Sequence, residues 1–242
     1  LFHLIQERVW AVLGTVDDLL SIILDTFIQT CIDNGIQSIH TIVLSNTLLS
    51  VASVNSEFFT SQIVAKLLEI SGSENVHDLV SKGTWTEVSV LIRFMLMLSF
   101  DEVIDIQKYL PDIFHIVTLV VGNGQAVIRS SIHGIAVNLV HTLCAKLQAK
   151  GENEQVLQDM LAILKNLSGG KFRAKFGVVE DSDTGSKFDV GTSFARETAA
   201  EDFSEGISPY DLKDITTELV KVVTIGTGNP GLGKLITLKF LC

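Results

Sequence analysis

Helical periodicity is the feature that most constrains the fold of this chain. Apolar residues recur at i, i+3, i+4 and i+7, the spacing of one face of an α-helix, through most of residues 2–223. Short turn signals interrupt these runs, and no convincing strand pattern stands between them. The sequence therefore predicts an all-α fold.

The turn signals give the bounds of the predicted helices. Thr15 is predicted to cap a helix with two aspartates in its first turn, which ends at Asn34-Gly35. Pro111 suits the first turn of a helix over 112–121 that follows a separate short helix. The other helices are expected at 2–13, 38–53, 56–70, 85–98, 126–149, 152–167 and 209–223.

The apolar stripes predict which helix faces are buried. The helix over 85–98 is apolar nearly all round, so it is expected to lie between layers. Two other helices show narrower stripes. In the second helix the stripe is Leu19, Leu20, Ile23 and Phe27, and in the helix over 152–167 it is Val156, Leu157, Met160, Leu161, Leu164 and Leu167.

Consecutive predicted helices form units of about 40 residues, the length of HEAT and armadillo repeats. We therefore expect stacked helical hairpins, a segment of an α-solenoid, with an irregular α-bundle as the alternative. The expected division is a helical repeat segment over 1–176, an acidic flexible loop over 177–206 and a terminal helical segment with a glycine-rich tail over 207–242.

Hydropathy raises the question of a membrane. Hydrophobic residues make up 47% of the chain and the mean hydropathy is +0.39. No stretch reaches the roughly 20 apolar residues of a spanning helix, because residues 36–56, within the longest uncharged stretch, include many Ser, Thr and Asn residues. We therefore expect helices covered by other protein. The start at Leu1 rather than Met predicts a piece of a longer protein.

Net charge limits the classes of binding partner, and the cysteine pattern indicates the redox state of the compartment. The net charge of −10 argues against nucleic acid and anionic lipid as direct partners of this segment. Cys31, Cys144 and Cys242 form no CxxC pair and no disulfide framework, which indicates a reducing, intracellular setting.

The glycine-rich tail contains a candidate nucleotide site. Residues 228–234 fit the G-x-x-x-x-G-K core of a phosphate-binding loop and follow a strand-like Val222–Ile225. The next residue is Leu235, where a working loop has Ser or Thr to hold magnesium. A Gly/Pro-rich turn between helices is the favoured interpretation.

Two predicted helices contain histidines that could be candidates for a metal site or for a catalytic base. His133 and His141 lie eight residues apart on one predicted helix, about 12 Å by the helical rise, which is too far for one metal. His115 lies on the preceding helix, and no Cys or carboxylate stands at ligand spacing. Ser130-Ser131 lies within a predicted helix without a nucleophile elbow. These histidines are interpreted as interhelical packing residues.

The acidic loop over 177–206 is interpreted first as a solvated spacer and second as a regulatory or partner-binding segment. Several hydroxyls there could accept phosphate, although nothing distinguishes one of them. They are Ser182, Thr184, Ser186, Thr192, Ser193 and Ser204.

Three blocks of the chain occur together in one known family. They run from Ile92 to Phe100, from Tyr109 to Thr118 and from Arg129 to Cys144. With weaker stretches at 13–27, 172–176 and 195–198, they resemble neurofibromin and its fungal counterparts, the large Ras GTPase-activating proteins. The resemblance covers residues 8–223 and does not include the tail after Thr224.

The resemblance implies a helical repeat scaffold that supports dimer assembly, C-terminal to the catalytic domain and to the lipid-exchange and PH-like module. The family's catalytic segment, with its arginine finger, has no match in this chain. The resemblance therefore gives Arg93, Arg129 and Arg196 no catalytic role. We expect no catalytic, cofactor-binding or metal-binding residues.

We therefore expect a non-catalytic scaffold segment of a neurofibromin-like Ras GTPase-activating protein, acting in negative regulation of Ras through the whole protein. The expected partners are the rest of the parent chain, a second copy and, through the parent only, a Ras-type GTPase. The expected location is cytoplasmic, with membrane association only through other domains. An independent HEAT-type adaptor is the alternative, and a nucleotide hydrolase using Lys234 is the enzymatic one.

Overall fold

The computed structural model describes residues 8–9, 11–13, 15–36, 38–73, 84–100, 106–123, 126–151, 154–177 and 207–228. All regular structure in these residues is helical, which confirms the predicted all-α fold. The α-helices are α1 (Ala11–Leu13), α2 (Asp17–Asn34), α3 (Ile39–Ala52), α4 (Ser56–Ser73), α5 (Thr84–Ser99), α6 (Ile106–Asn123), α7 (Ala126–Lys150), α8 (Glu154–Leu167), α9 (Gly170–Lys175) and α10 (Pro209–Thr227).

Serine side chains cap the starts of two helices. The Ser38 hydroxyl accepts a hydrogen bond from the backbone N–H of Thr41 at 3.2 Å, and Ser208 does the same for Asp211 at 3.1 Å. The predicted cap of α2 is wrong. Val16 is the N-cap there, and the Thr15 hydroxyl instead donates to the carbonyl oxygen of Val12 at 2.7 Å.

Pro111 does not begin a new helix, contrary to the prediction. It lies inside the continuous helix α6. A proline here removes the hydrogen bond that its nitrogen would donate to the carbonyl of Gln107, and its ring crowds that carbonyl. Burial of the neighbouring Leu110, Ile113 and Phe114 side chains favours the uninterrupted helix.

The chain divides into two compact units, Leu1–Asp105 and Ile106–Cys242. In the first unit, α5 packs against α2, α3 and α4. Residues 88–96 of α5 are all buried, so the prediction of an inner helix is confirmed. The predicted boundaries at 176 and 207 stay predictions.

In the second unit, α6 packs against α7, and α8 packs against α7. Helix α10 packs against α6 and α8, while the short α9 contacts both α8 and α10. Gly226 of α10 is buried, and a Cβ atom there would lie 3.2 Å from the Leu143 side chain and 3.3 Å from the Leu110 side chain. The absence of a side chain therefore lets α10 approach α6 and α7 closely.

The buried faces differ in detail from the predicted stripes. Helix α2 buries Leu20, Leu24, Ile28 and Cys31, whereas Leu19 is exposed. Helix α8 buries Met160, Ile163 and Leu167, whereas Leu161 is exposed. Both predicted stripes thus included residues of an outer face.

We expect Gly226→Val to lower the free energy of unfolding by about 1–3 kcal/mol, because the added methyl groups overpack the contact with Leu110 and Leu143. Urea unfolding followed by circular dichroism measures the change. Thr217→Val on the exposed face of the same helix is the control, with an expected change within about 0.5 kcal/mol. Equal stability of Gly226→Val and the unmodified chain would contradict the close approach.

Candidate functional site

A buried polar cluster lies at the centre of the first unit. Arg93 of α5 is only 7% exposed. Its Nε donates to the Ser45 hydroxyl at 3.1 Å, and its Nη1 donates to the carbonyl of Ile36 at 3.5 Å. The Ser45 hydroxyl in turn donates to the carbonyl of Thr41 at 2.6 Å. We call Arg93, Ser45, Thr41 and the adjacent Cys31 the Arg93 cluster.

The Arg93 cluster joins α5 to the turn between α2 and α3. Gly35 is the C-cap of α2, and its carbonyl accepts a hydrogen bond from the Thr41 hydroxyl at 2.8 Å. Carbonyls at a helix C-terminus carry partial negative charge, so a guanidinium beside them is favourably placed. The cluster therefore offsets the cost of burying a cation with carbonyl and hydroxyl acceptors.

Electrostatics in this cluster disfavour nucleophilic chemistry. Burial raises the pKa of the Cys31 thiol, and this effect exceeds the opposing effects of the Thr41 hydrogen bond and the Arg93 charge. The thiol is thus protonated near neutral pH, and the thiolate is the reactive form. Burial also lowers the pKa of Arg93, although guanidinium remains charged in proteins.

The second unit contains a comparable buried arginine. Arg129 of α7 is 3% exposed, and burial lowers its pKa. Its guanidinium packs against Gly177, where a Cβ atom would lie 2.9 Å from Cζ. Gly177 has a φ of +70°, so both its conformation and the lack of space require glycine. Arg129 therefore holds the chain where it leaves α9.

His133 connects α7 to the end of α8. It is buried, its Nε2 lies 2.8 Å from the carbonyl oxygen of Leu167, and its ring meets Phe176 edge to face at 5.0 Å. The interpretation of His133 as an interhelical packing residue is confirmed. His141 is exposed on the same helix, and His115 lies half-buried on α6. In the part of the chain that the structure describes, no three His, Cys, Asp or Glu side chains are grouped as a metal site.

The remaining sequence candidates gain no support. Val222–Ile225, interpreted as strand-like, is helical because α10 continues to Thr227. The strand that would precede a phosphate-binding loop is therefore replaced by a helix, and Lys234 itself lies outside the described residues. Ser131 is buried and Ser130 half-buried within α7. The acidic loop beyond Gly177, with its six candidate phosphate acceptors, and Arg196 also lie outside the described residues.

An open groove of about 530 Å³ lies at the turn between α7 and α8. Its lining contains leucines beside a hydrogen bond from Gln158 to Glu154 of 2.7 Å. The lining offers no nucleophile with an adjacent base. The residues are Leu147, Gln148, Gly151, Glu154, Leu157, Gln158 and Leu161.

Large apolar side chains are exposed on α2 and α3. Val16, the N-cap of α2, is followed at intervals of three residues by Leu19 and Ile22. Ile39 and Val43 are one turn apart on α3. We call these five residues the α2–α3 surface. No helix in the described ranges is both long and apolar enough to cross a membrane.

We expect Arg93→Met to lower the free energy of unfolding by about 2–4 kcal/mol, because the carbonyl of Ile36 and the Ser45 hydroxyl lose a charged donor. Chemical denaturation measures the loss. The exposed Arg8→Met is the control and should change stability by no more than about 0.5 kcal/mol. A similarly small effect at Arg93 would show that the cluster contributes little.

We expect the free energy of unfolding to decrease as the pH is lowered, because the folded chain disfavours protonation of His133. Desolvation lowers the pKa of His133 below its ordinary value of 6.5, and the charge of Arg173 acts in the same direction, while the Leu167 carbonyl partly opposes them. Below that ordinary value the unfolded chain binds a proton that the folded chain excludes, so stability present above it is lost as pH falls.

Urea unfolding at several pH values measures this dependence. His133→Phe should be less stable at pH 7.5 but lose less stability on acidification. The exposed His141→Gln should follow the unmodified chain. An unchanged pH dependence in His133→Phe would exclude His133 as its source.

No protein-family profile matches this chain. Two proteins of Saccharomyces cerevisiae are similar to it. Inhibitory regulator protein IRA2 is 25% identical over 201 residues, which cover 82% of this chain and 6% of that protein. Inhibitory regulator protein IRA1 is 20% identical over 199 residues, which cover 72% of this chain and 6% of that protein. The chain thus spans about 6% of the length of these curated relatives. The similarity to both regulators extends over most of this chain and agrees with the resemblance predicted from the sequence.

Proposed function

We propose that the chain is a non-catalytic helical scaffold segment of a neurofibromin-like Ras GTPase-activating protein. In this proposal it takes part in negative regulation of Ras signalling only through the whole protein. The observation that carries the proposal is the alignment of 82% of this chain with a segment that makes up 6% of a much longer inhibitory regulator.

The use of the arginines supports a structural role. A transition-state arginine must extend from the surface to reach the phosphates on a bound GTPase. Arg93 and Arg129 are instead buried, the first bonded to Ser45 and Ile36, the second packed on Gly177. Neither guanidinium is placed to enter another protein's nucleotide site.

The packing supports a mechanical role. In the first unit, α5 is surrounded by three helices and uses both apolar contacts and the Arg93 cluster to hold them. Such interiors are close-packed and resist deformation. The segment would position other modules of the parent protein, in the cytoplasm, with the rest of the parent chain and a second copy as partners. Direct binding of nucleic acid is not part of the proposal.

The exposed α2–α3 surface favours a second candidate, an independent HEAT-type adaptor that binds another protein. The coding sequence on both sides of this segment separates the two. A GTPase-activating domain encoded upstream supports the scaffold, and its absence supports the adaptor.

We expect the purified chain to leave the rate of GTP hydrolysis by a Ras protein unchanged. Single-turnover hydrolysis with and without excess chain measures the rate. A known GTPase-activating domain is the positive control. Acceleration of hydrolysis by the chain would contradict the proposal. Arg173 is only half-buried on α9, so loss of that acceleration in Arg173→Ala would identify Arg173 as its source.

A further inference from the structure

The helices α2 and α3 lie in a stretch without basic residues. From Val9 to Ala65 there is no Lys or Arg, although the whole chain has 18. The same stretch contains five acidic residues, and the four that belong to α2 are exposed. They are Asp17, Asp18, Asp25 and Asp33 on α2, and Glu57 on α4.

Helix α3 differs from an ordinary surface helix because apolar residues lie on its outer face as well as on its buried face. It contains no formally charged residue. Its buried face includes the hydroxyls of Thr41 and Ser45, which belong to the Arg93 cluster. Its outer face exposes Ile39 at 66% and Val43 at 54%. A helix that is apolar on its outer face is expected to be covered by protein.

The exposed apolar residues of α2 and α3 lie on the outer faces of two helices that pack against each other. Both helices pack on α5, so the faces opposite those contacts point away from α5. Ile22, 62% exposed, lies opposite the buried Leu20, Leu24 and Ile28 of α2. The α2–α3 surface is therefore an apolar area bordered by the carboxylates of α2.

We propose that the α2–α3 surface binds an amphipathic helix from another part of the same protein, with an apolar stripe bordered by Lys and Arg. The apolar stripe matches the five exposed side chains. The basic border matches the exposed carboxylates of Asp17, Asp18 and Asp33 on α2, whereas Asp25 already pairs with Lys66 at 3.0 Å. This inference rests on the proposed scaffold function, because the homologous regulators are far longer than this chain.

Charge disfavours two other occupants. A second copy of this surface would bring two acidic borders together, and like charges oppose association. An anionic membrane would be repelled by the same carboxylates. A basic amphipathic helix fits both the apolar area and its border.

Two synthetic 18-residue peptides test the proposal. Both have one leucine stripe, bordered by lysines in the first and by glutamates in the second. Fluorescence anisotropy with the whole purified chain measures their binding. We expect the lysine peptide to bind at least about tenfold more tightly than the glutamate peptide, with affinity that falls as salt is added. Equal binding of both peptides, or binding of neither, would overturn the proposal.

Matched variants test the location. The pair Ile22→Lys and Val43→Lys should weaken binding of the lysine peptide by at least about tenfold. The pair Leu161→Lys and Tyr210→Lys adds the same charge at exposed positions of the second unit and should leave binding within about twofold. The uncharged pair Ile22→Thr and Val43→Thr should weaken binding severalfold. Circular dichroism verifies that each variant is folded. Equal weakening by both lysine pairs would indicate binding to net charge alone and would overturn the proposal.

Overlapping peptides that cover the parent protein test the source. At least one peptide with an apolar stripe and basic borders should bind the unmodified chain and lose binding to the Ile22→Lys, Val43→Lys variant. If no peptide behaves in this way, the proposal is overturned. It is also overturned if sedimentation shows that the unmodified chain is a dimer and that this variant is not. These outcomes are independent of the GTP hydrolysis assay, so docking can fail while the scaffold proposal stands.

Discussion

The hydrogen bonds of Arg93 organise the first unit. A guanidinium that is 7% exposed must find acceptors, and here they come from two elements distant in sequence, the Ser45 hydroxyl on α3 and the Ile36 carbonyl after α2. Because α5 is surrounded by α2, α3 and α4, its arginine fixes the turn between two of its three neighbours. Apolar packing supplies the driving force for association, and the directional bonds determine which turn meets which helix.

The second unit uses the same kind of anchoring at a different place. Arg129 packs on Gly177 and His133 reaches the Leu167 carbonyl, so α7 holds both the end of α8 and the chain after α9. In each unit, a polar side chain on a largely buried helix contacts residues distant in sequence and holds the end of another helix in place. The Arg93 guanidinium, the Ser45 hydroxyl and the His133 ring are each engaged in these contacts.

The predictability of the structure differs between helix positions and helix faces. Turn signals such as Asn34-Gly35 and Gly151 placed most helix ends within a few residues, because they act through local backbone preferences. The predicted stripes of α2 and α8 included Leu19 and Leu161, since both helices offer more apolar residues than one face can bury. The sequence did not predict the uninterrupted α6, because packing around Pro111 outweighs both the lost hydrogen bond and the crowding by the proline ring. The Arg93 cluster required knowledge of contacts across 48 residues, and only the unusual arginine within an apolar helix could have indicated it.

The distribution of apolar residues on all sides of α3 affects how uniquely the helix is oriented. A helix with apolar residues on every side gains nearly the same burial in several rotations about its axis, so hydrophobicity alone leaves its orientation degenerate. The bond between Ser45 and Arg93 breaks that degeneracy, because only one rotation brings the hydroxyl to the guanidinium. A neutral, apolar helix is thus oriented by its few polar atoms, and the side left towards solvent is set by them as well.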